Sequence, residues 1–84
     1  MKNTTIKAEF GKLLYRNRKA KSLSREIVAD ELGISTRTLA NWEKGKTFIE
    51  DLSIIDDMDK NYDINIPTLL QQAITNIRSR QRRS

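Results

Sequence analysis

Two short segments in the middle of the chain each begin with a serine and end at a glycine. The first runs from Ser24 to Gly33 and the second from Ser35 to Gly45, so that a single residue, Ile34, stands between them. Serine is a favoured N-cap because its hydroxyl accepts a hydrogen bond from the first turn, and glycine adopts the positive φ that often ends a helix. The pattern therefore predicts two short helices joined by a tight turn, which is a helix-turn-helix arrangement.

Apolar side chains recur in both segments at the spacing of a helix face. Ile27, Val28 and Leu32 form the predicted buried face of the first helix, and Leu39 with Trp42 forms that of the second. The other side of the second helix then points outward and is polar, small or basic: Thr36, Arg37, Ala40, Asn41 and Lys44. Such a composition suits a helix that lies in the major groove of DNA.

Three further helices are predicted around this pair. They run from Ala8 to Lys21, from about Glu50 to Asp59, and from Ile66 to about Ile77. In the second of them the residues expected to point inward are Leu52, Ile55 and Met58. Because strand-type alternation is absent, the expected fold class is all-α. We expect a loosely ordered segment at residues 1–7, one domain over residues 8–77, and a basic flexible tail at residues 78–84.

The composition narrows the possible function classes. The chain has 84 residues, which suffices for one small domain. It contains no cysteine and no histidine, which excludes disulfide scaffolds, thiolate or imidazole zinc sites and a Ser-His triad. We therefore expect no enzymatic activity, no cofactor and no metal. The sequence has neither an apolar run long enough to span a membrane nor the apolar region of a signal peptide, so a cytoplasmic location is expected.

The charges are segregated along the sequence. Residues 1–48 carry 11 Lys/Arg and 5 Asp/Glu, residues 49–77 carry 1 and 6, and residues 78–84 carry 4 and none. The net charge of +5 is therefore concentrated in the two ends of the chain. A basic region opposed to an acidic one indicates a surface that binds a polyanion, with nucleic acid as the natural candidate. The alternative is a solvated surface without a partner.

Several residue types follow a fixed register between Leu23 and Gly45. A small residue lies inside the first helix at Ala29, Leu-Gly-Ile-Ser spans the turn at residues 32–35, and Trp-Glu-x-Gly closes the second helix at residues 42–45. In this register the segment resembles the lambda-repressor/Cro-like helix-turn-helix family, also called Xre-like, and the similarity extends over about residues 10–70. The resemblance implies a compact five-helix lambda-repressor-like domain that binds DNA, with the helix-turn-helix at helices two and three.

The resemblance also implies roles for individual residues. Four residues of the second helix, the recognition helix, would face base edges: Thr36, Arg37, Ala40 and Asn41. Arginine favours the O6 and N7 atoms of guanine, and asparagine favours the N6 and N7 atoms of adenine. Contacts to DNA phosphates are implied for Arg25, Ser35, Lys44, Lys46 and Thr47. The alternative for all of these side chains is an ordinary solvated helix surface.

Two further features follow from the resemblance. The family counterparts of Arg18 and Glu43 form a partly buried ion pair that ties the first helix to the end of the recognition helix, so a structural role is expected for both, with a DNA contact as the alternative for Arg18. The loop after Gly45 lacks the proline that is common in the family. We therefore expect Phe48 and Ile49 to anchor this loop.

The last predicted helix carries a longer apolar stripe than a minimal domain needs. Its end supplies the candidates for a dimer interface, which are Ala73, Ile74 and Ile77. Two such domains would present their recognition helices to half-sites about 34 Å apart. The basic residues beyond the stripe either touch phosphates or remain solvated: Arg78, Arg80, Arg82 and Arg83.

The expected function is therefore that of a sequence-specific, double-stranded-DNA-binding transcriptional regulator. A repressor that binds a palindromic operator as a dimer is favoured, and the size of the chain resembles that of Cro-type regulators of phages and mobile elements. The alternative is an antitoxin or another protein-interaction module that uses its C-terminal helix to bind a partner protein.

Overall fold

The computed structural model describes residues 5–82, with the backbone alone for Arg82. Five helices follow one another along the chain: α1 (Ile6–Ala20), α2 (Arg25–Leu32), α3 (Thr36–Glu43), α4 (Leu52–Tyr62) and α5 (Ile66–Arg82). No strand occurs within this range, so the predicted all-α fold is confirmed. Residues 1–4 of the predicted N-terminal segment, and Arg83 of the predicted tail, lie outside the described residues.

The turn between α2 and α3 is built from the local signals in the sequence. Ser24 Oγ accepts a hydrogen bond from the N–H of Ile27 at 3.1 Å, and Ser35 Oγ accepts one from the N–H of Thr38 at 3.0 Å. Gly33 has a φ of +73°, the left-handed conformation that was expected of it. The two serine caps therefore set the starts of α2 and α3, and Gly33 sets the end of α2.

The core lies where α1 packs against both α3 and α5, while α2 packs against α3 and α4. Its largest fully buried side chains come from α1 to α4 and the loops beside α4: Phe10, Leu14, Val28, Leu39, Ile49, Met58 and Ile64. Each such side chain contributes about 1.5–3 kcal/mol through burial, which is how so small a domain can offset the conformational entropy lost on folding. Among the described residues, no helix combines the length and hydropathy of a membrane-spanning segment.

The predicted buried faces of α2 and α4 each contain one error. Ile27 is 53% exposed, because α2 is turned so that Val28, rather than its neighbour, faces the core. Leu52 is 80% exposed instead of pointing inward. It is the first residue of α4, which begins later than predicted because Asp51 is the N-cap and accepts a hydrogen bond from the N–H of Ser53 at 2.9 Å. Periodicity alone leaves the face of a short helix uncertain by about one residue.

Phe48 and Ile49 anchor the loop between α3 and α4, as predicted. Ile49 is 2% exposed, and the ring of Phe48 packs edge-on against that of Phe10, with the ring centroids 5.0 Å apart. Edge-to-face contacts of this kind are favourable because the positive edge of one ring meets the negative face of the other. The loop that follows the recognition helix is thus held on α1 without a proline.

Tyr62 joins the C-terminal end of α4 to α2 by donating a hydrogen bond to the carboxylate of Glu31. Burial, with a smaller effect of this hydrogen bond, raises the pKa of Tyr62 to about 12. Because the folded pKa exceeds the ordinary value of 10.0, the associated stability is complete below about pH 10 and is lost as the pH rises toward 12. The contact is therefore insensitive to pH across the physiological range.

Helix α5 continues to Arg82 instead of ending near Ile77, so residues 78–82 extend the domain rather than begin a separate tail. The reason is a contact with α1 that the sequence pattern does not reveal. The carboxylate of Glu9, which is 3% exposed, accepts a hydrogen bond from Asn76 Nδ2 at 3.1 Å and pairs with the guanidinium of Arg80. A buried carboxylate needs such partners, and these hold the last turns of α5 on α1.

Replacing Arg80 with glutamine should loosen the end of α5. We expect the free energy of unfolding to fall by about 1–3 kcal/mol, because the buried carboxylate of Glu9 loses its closer charged partner and keeps only Lys12, whose Nζ lies 3.8 Å away. The amides of residues 78–82 should also exchange with solvent faster, as measured by hydrogen–deuterium exchange. The matched control is Arg78→Gln, which removes the same charge from an exposed position and should change stability by less than about 0.5 kcal/mol. Equal effects of the two substitutions would contradict the role of the Glu9 contact.

Candidate nucleic-acid interface

Helix α3 has one buried and one open side. Leu39 is fully buried and Trp42 is 6% exposed, so these two residues clamp the helix to the core. The four predicted base-reading residues lie together on the opposite side, with Thr36 and Arg37 exposed and Ala40 and Asn41 half-buried. The predicted phosphate-contacting residues Lys44, Lys46 and Thr47 are exposed where α3 ends and its loop begins. The structure therefore leaves all seven residues at least partly exposed, on α3 and on the loop that follows it.

The side chains of Arg37 and Asn41 are available for contacts outside the domain. Arg37 and Asn41 are separated by one helical turn and so share a face. Within the described part of the chain, no hydrogen bond or ion pair engages the side chain of either residue. The guanidinium and the amide can thus donate and accept hydrogen bonds outward without breaking contacts within the domain.

Ser35 has a structural task in addition to its predicted contact. Its hydroxyl accepts a hydrogen bond from the N–H of Thr38 and lies 2.9 Å from the hydroxyl of the same residue. This N-cap orders the first turn of α3, where Thr36 and Arg37 are located. The hydroxyl of Ser35 is therefore part of the support of the recognition surface, and its contact to a phosphate stays a prediction.

Arg18 and Glu43, the predicted structural pair, lie in contact. Arg18 Nε is 2.6 Å from Glu43 Oε2, and Arg18 Nη2 is 3.1 Å from Glu43 Oε1. The remaining terminal nitrogen of Arg18 donates to the carbonyl of Leu23 at 2.7 Å. Both residues are buried, at 6% and 7% exposure. Arg18 is consequently committed to the interior, which removes the alternative of a DNA contact.

Arg25 contacts the same carboxylate, which the sequence did not indicate. Its Nε donates to Glu43 Oε1 at 3.0 Å, and its Nη2 lies 3.0 Å from the same oxygen. The side chain of Arg25 is still 35% exposed. No periodicity links residues that are 18 positions apart, so only the packing of α2 against α3 reveals this contact.

A glycine in α1 allows the first helix to approach the end of α3. A Cβ atom added to Gly11 would lie 2.5 Å from the carbonyl oxygen of Trp42 and 2.6 Å from that of Glu43. Gly45, just past α3, is equally close to α1: its Cβ would lie 2.6 Å from Ala8 Cα. The C-terminal end of the recognition helix therefore packs directly against the backbone of α1. The available signal for Gly11 was a glycine within a predicted helix, which often marks close packing.

The candidates for a dimer interface do not share one environment. Ala73 is fully buried in the core of its own domain, so its prediction as an interface residue is wrong. Ile74 and Ile77 are half-buried and lie outside the core cluster. These two isoleucines remain as an unpartnered apolar pair within the described chain.

The interface carries no arrangement suited to a metal ion. Across residues 5–82, no group of three or more histidine, cysteine, aspartate or glutamate side chains is placed to hold one. What the surface offers instead is cationic and amide donors on one helix and its following loop. These groups can donate hydrogen bonds to an anionic partner.

Comparison with protein-family models supports the same conclusion. A helix-turn-helix family model matches residues 14–48. The match begins within α1, includes all of α2 and α3, and ends in the loop at Phe48. No curated protein sequence matches the chain.

Proposed function

We propose, from the match of residues 14–48 to the Cro/C1-type (Xre-like) helix-turn-helix family, that the chain is a sequence-specific regulator of transcription that binds double-stranded DNA. The observation that carries the proposal is the division of α3 into a clamped side and a free side. Leu39 and Trp42 hold the helix, while Arg37 and Asn41 present donors that have no partner among the described residues. A helix that is fixed in this way can offer the same hydrogen-bonding pattern to each site it meets.

In the proposed complex α3 lies in the major groove. Arg37 reads a guanine through its O6 and N7 atoms, and Asn41 reads an adenine through N6 and N7. Ala40 and the methyl group of Thr36 lie near thymine methyl groups, which are the apolar feature of this groove. The phosphate contacts that fix the orientation come from the residues around this helix, namely Arg25, Ser35, Lys44, Lys46 and Thr47.

Selection from a random DNA pool with the purified protein, followed by binding assays on the consensus, tests this proposal. The change Arg37→Ala should cost about 1–3 kcal/mol on the consensus duplex and should abolish the preference at one base position. Asn41→Ala should do the same at a different position. The control is Arg16→Ala, which removes an exposed cation from α1. If both α3 variants bind all sequences as the parent does, the proposal of base reading fails.

We further propose that the regulator acts as a dimeric repressor. Ile74 and Ile77 are half-buried and would be covered by the same residues of a second copy across a two-fold axis. The two recognition helices would then meet half-sites about 34 Å apart, and occupation of an operator that overlaps a promoter would block transcription. A palindromic consensus from the selection would support the dimer, and a single asymmetric half-site would contradict it.

The alternative is an antitoxin-like module that binds a partner protein through its C-terminal helix. The exposure of Ile74 and Ile77 is the observation that favours it. Against it, Ala73 is fully buried in the core of this domain and Arg80 is held by Glu9, so these two residues are not available to a partner. The variant Ile74→Asp distinguishes the two. If it no longer represses transcription but still binds DNA with parental affinity, the isoleucine contacts a partner protein and not a second copy of the chain.

A further inference from the structure

The carboxylate of Glu43 is shared by two arginines with different environments. Arg18 binds both carboxylate oxygens from the interior, and its side chain is 7% exposed. Arg25 binds only one oxygen, Oε1, and its side chain is 35% exposed. The carboxylate side chain itself is 2% exposed. The cluster therefore has an inner and an outer cation on a single buried anion.

The excess positive charge of this cluster resides on Arg25. Arg18 already neutralises Glu43 with two hydrogen bonds, and its remaining nitrogen, Nη1, donates to the carbonyl of Leu23. Arg25 uses Nε and Nη2 on Glu43 Oε1, which is one edge of its planar guanidinium. Its Nη1 has no partner among the described residues. A guanidinium held by one edge keeps its other donors in a fixed direction.

The exposed arginine lies at the start of α2, next to an open groove. Arg25 is the first residue of the helix, directly after the N-cap Ser24. The groove is lined on this side by Lys19, Ser22 and Ser24. Ser24, which lines this groove, directly precedes Arg25, and among the described acidic groups only Glu43 pairs with the Arg25 guanidinium.

We propose that Glu43 is a positioning residue for DNA binding: it orients Arg25 so that the outer edge of the guanidinium is preset for a backbone phosphate. This inference rests on the proposed function and adds to it a second task for a residue of the structural pair. A free arginine side chain must lose rotamer entropy when it binds a phosphate, whereas Arg25 has lost most of it on folding. The gain is affinity for DNA of any sequence, because phosphates carry no base information.

The test compares Arg25→Gln with Arg25→Lys on the full chain, since both retain the Arg18–Glu43 pair. Affinity is measured against salt concentration, for the consensus duplex and for an unrelated duplex of equal length. We expect Arg25→Gln to weaken both complexes and to reduce the slope of log K against log salt by about 0.9, the value of one phosphate contact. Arg16→Gln, which removes an exposed cation from α1, should leave the slope unchanged.

The lysine variant separates orientation from charge. Lysine keeps the cation but lacks the planar fork that binds Glu43 with one edge and a phosphate with the other. We expect Arg25→Lys to lose several-fold in affinity at a nearly parental salt slope. Parental affinity of Arg25→Lys would overturn the positioning by Glu43, and a parental slope of Arg25→Gln would overturn the phosphate contact itself.

A double-mutant cycle with Glu43→Gln adds a direct measure of coupling. If Glu43 positions Arg25, the affinity cost of Arg25→Lys should shrink when Glu43 is replaced by glutamine, whereas independent residues would show additive costs. Failure of the proposed function looks different, since the parent would then bind consensus and unrelated duplexes equally. Where the Glu43→Gln protein does not fold, the comparison of the two Arg25 variants still decides.

Discussion

Replacing Glu43 with alanine should lower the free energy of unfolding by about 3–5 kcal/mol. The substitution removes the anion that Arg18 binds at 2.6 and 3.1 Å, and leaves a guanidinium that is only 6% exposed without its counter-charge. An uncompensated buried charge is far more costly than the loss of a surface ion pair. Since small domains have a total free energy of unfolding of about 5–15 kcal/mol, a large part of the stability of this domain depends on the Glu43 carboxylate.

Urea unfolding, followed by far-ultraviolet circular dichroism, measures this effect. The matched control is Glu50→Ala, which removes an exposed carboxylate from the loop before α4 and should change stability by less than about 0.5 kcal/mol. The double variant Arg18→Met with Glu43→Leu should recover most of the loss, because apolar side chains of similar size can replace a buried ion pair. A loss below about 1 kcal/mol for Glu43→Ala would show that the pair is not desolvated as the structure indicates.

The second large effect is expected at Gly11, where helix propensity and packing predict opposite signs. Alanine is normally better than glycine inside a helix by about 1 kcal/mol, so propensity predicts that Gly11→Ala stabilises α1. The added Cβ would lie 2.5 and 2.6 Å from two carbonyl oxygens at the end of α3. Backbone atoms cannot move aside as a flexible side chain can, and we expect a net loss of about 2–4 kcal/mol. Any gain in stability would contradict the close approach of α1 and α3.

The other two glycines of the chain supply controls for this comparison. Gly33 has a φ of +73° and nothing within 4 Å of its added Cβ, so Gly33→Ala tests backbone strain alone and should cost about 1–2 kcal/mol. Gly45 has a φ of +77° and a Cβ that would lie 2.6 Å from Ala8 Cα, so it combines strain with a clash. The expected order of destabilisation places Gly45→Ala above Gly33→Ala. The Gly11→Ala variant should also bind DNA more weakly, because the added Cβ pushes the recognition helix away from α1.

Much of the candidate site could be predicted because its determinants are close together in sequence. Ser24, Gly33 and Ser35 act on their own neighbours, and the free face of α3 follows from the positions of Leu39 and Trp42. The outward set that includes Arg37 and Asn41 was therefore available before any packing was known. The rotation of α2 and α4 was less well determined, as Ile27 and Leu52 show. In a short helix, an apolar residue at the edge of the apolar face can point either to the core or to solvent.

The ion pairs that join different helices could not be predicted from the local sequence pattern. Arg25 meets Glu43 across 18 residues, and Arg80 meets Glu9 across 71. The pairing of Arg18 with Glu43 was expected only from resemblance to a family. Charged residues on a helix surface look alike in sequence whether they face solvent or a buried partner, because the distinction depends on which helices are adjacent.

The sequence by itself determined the five helices, the tight turn between α2 and α3, and the polar face that the turn presents, because caps, glycine conformations and apolar spacing act over a few residues. Only the tertiary structure decided that Ala73 belongs to the core and that Gly11 lets α1 pack closely against α3. It also decided that the Glu43 carboxylate binds two arginines. These outcomes depend on distances between helices that are remote along the chain. Such distances follow from how all the side chains fill the core together, and no single segment encodes them.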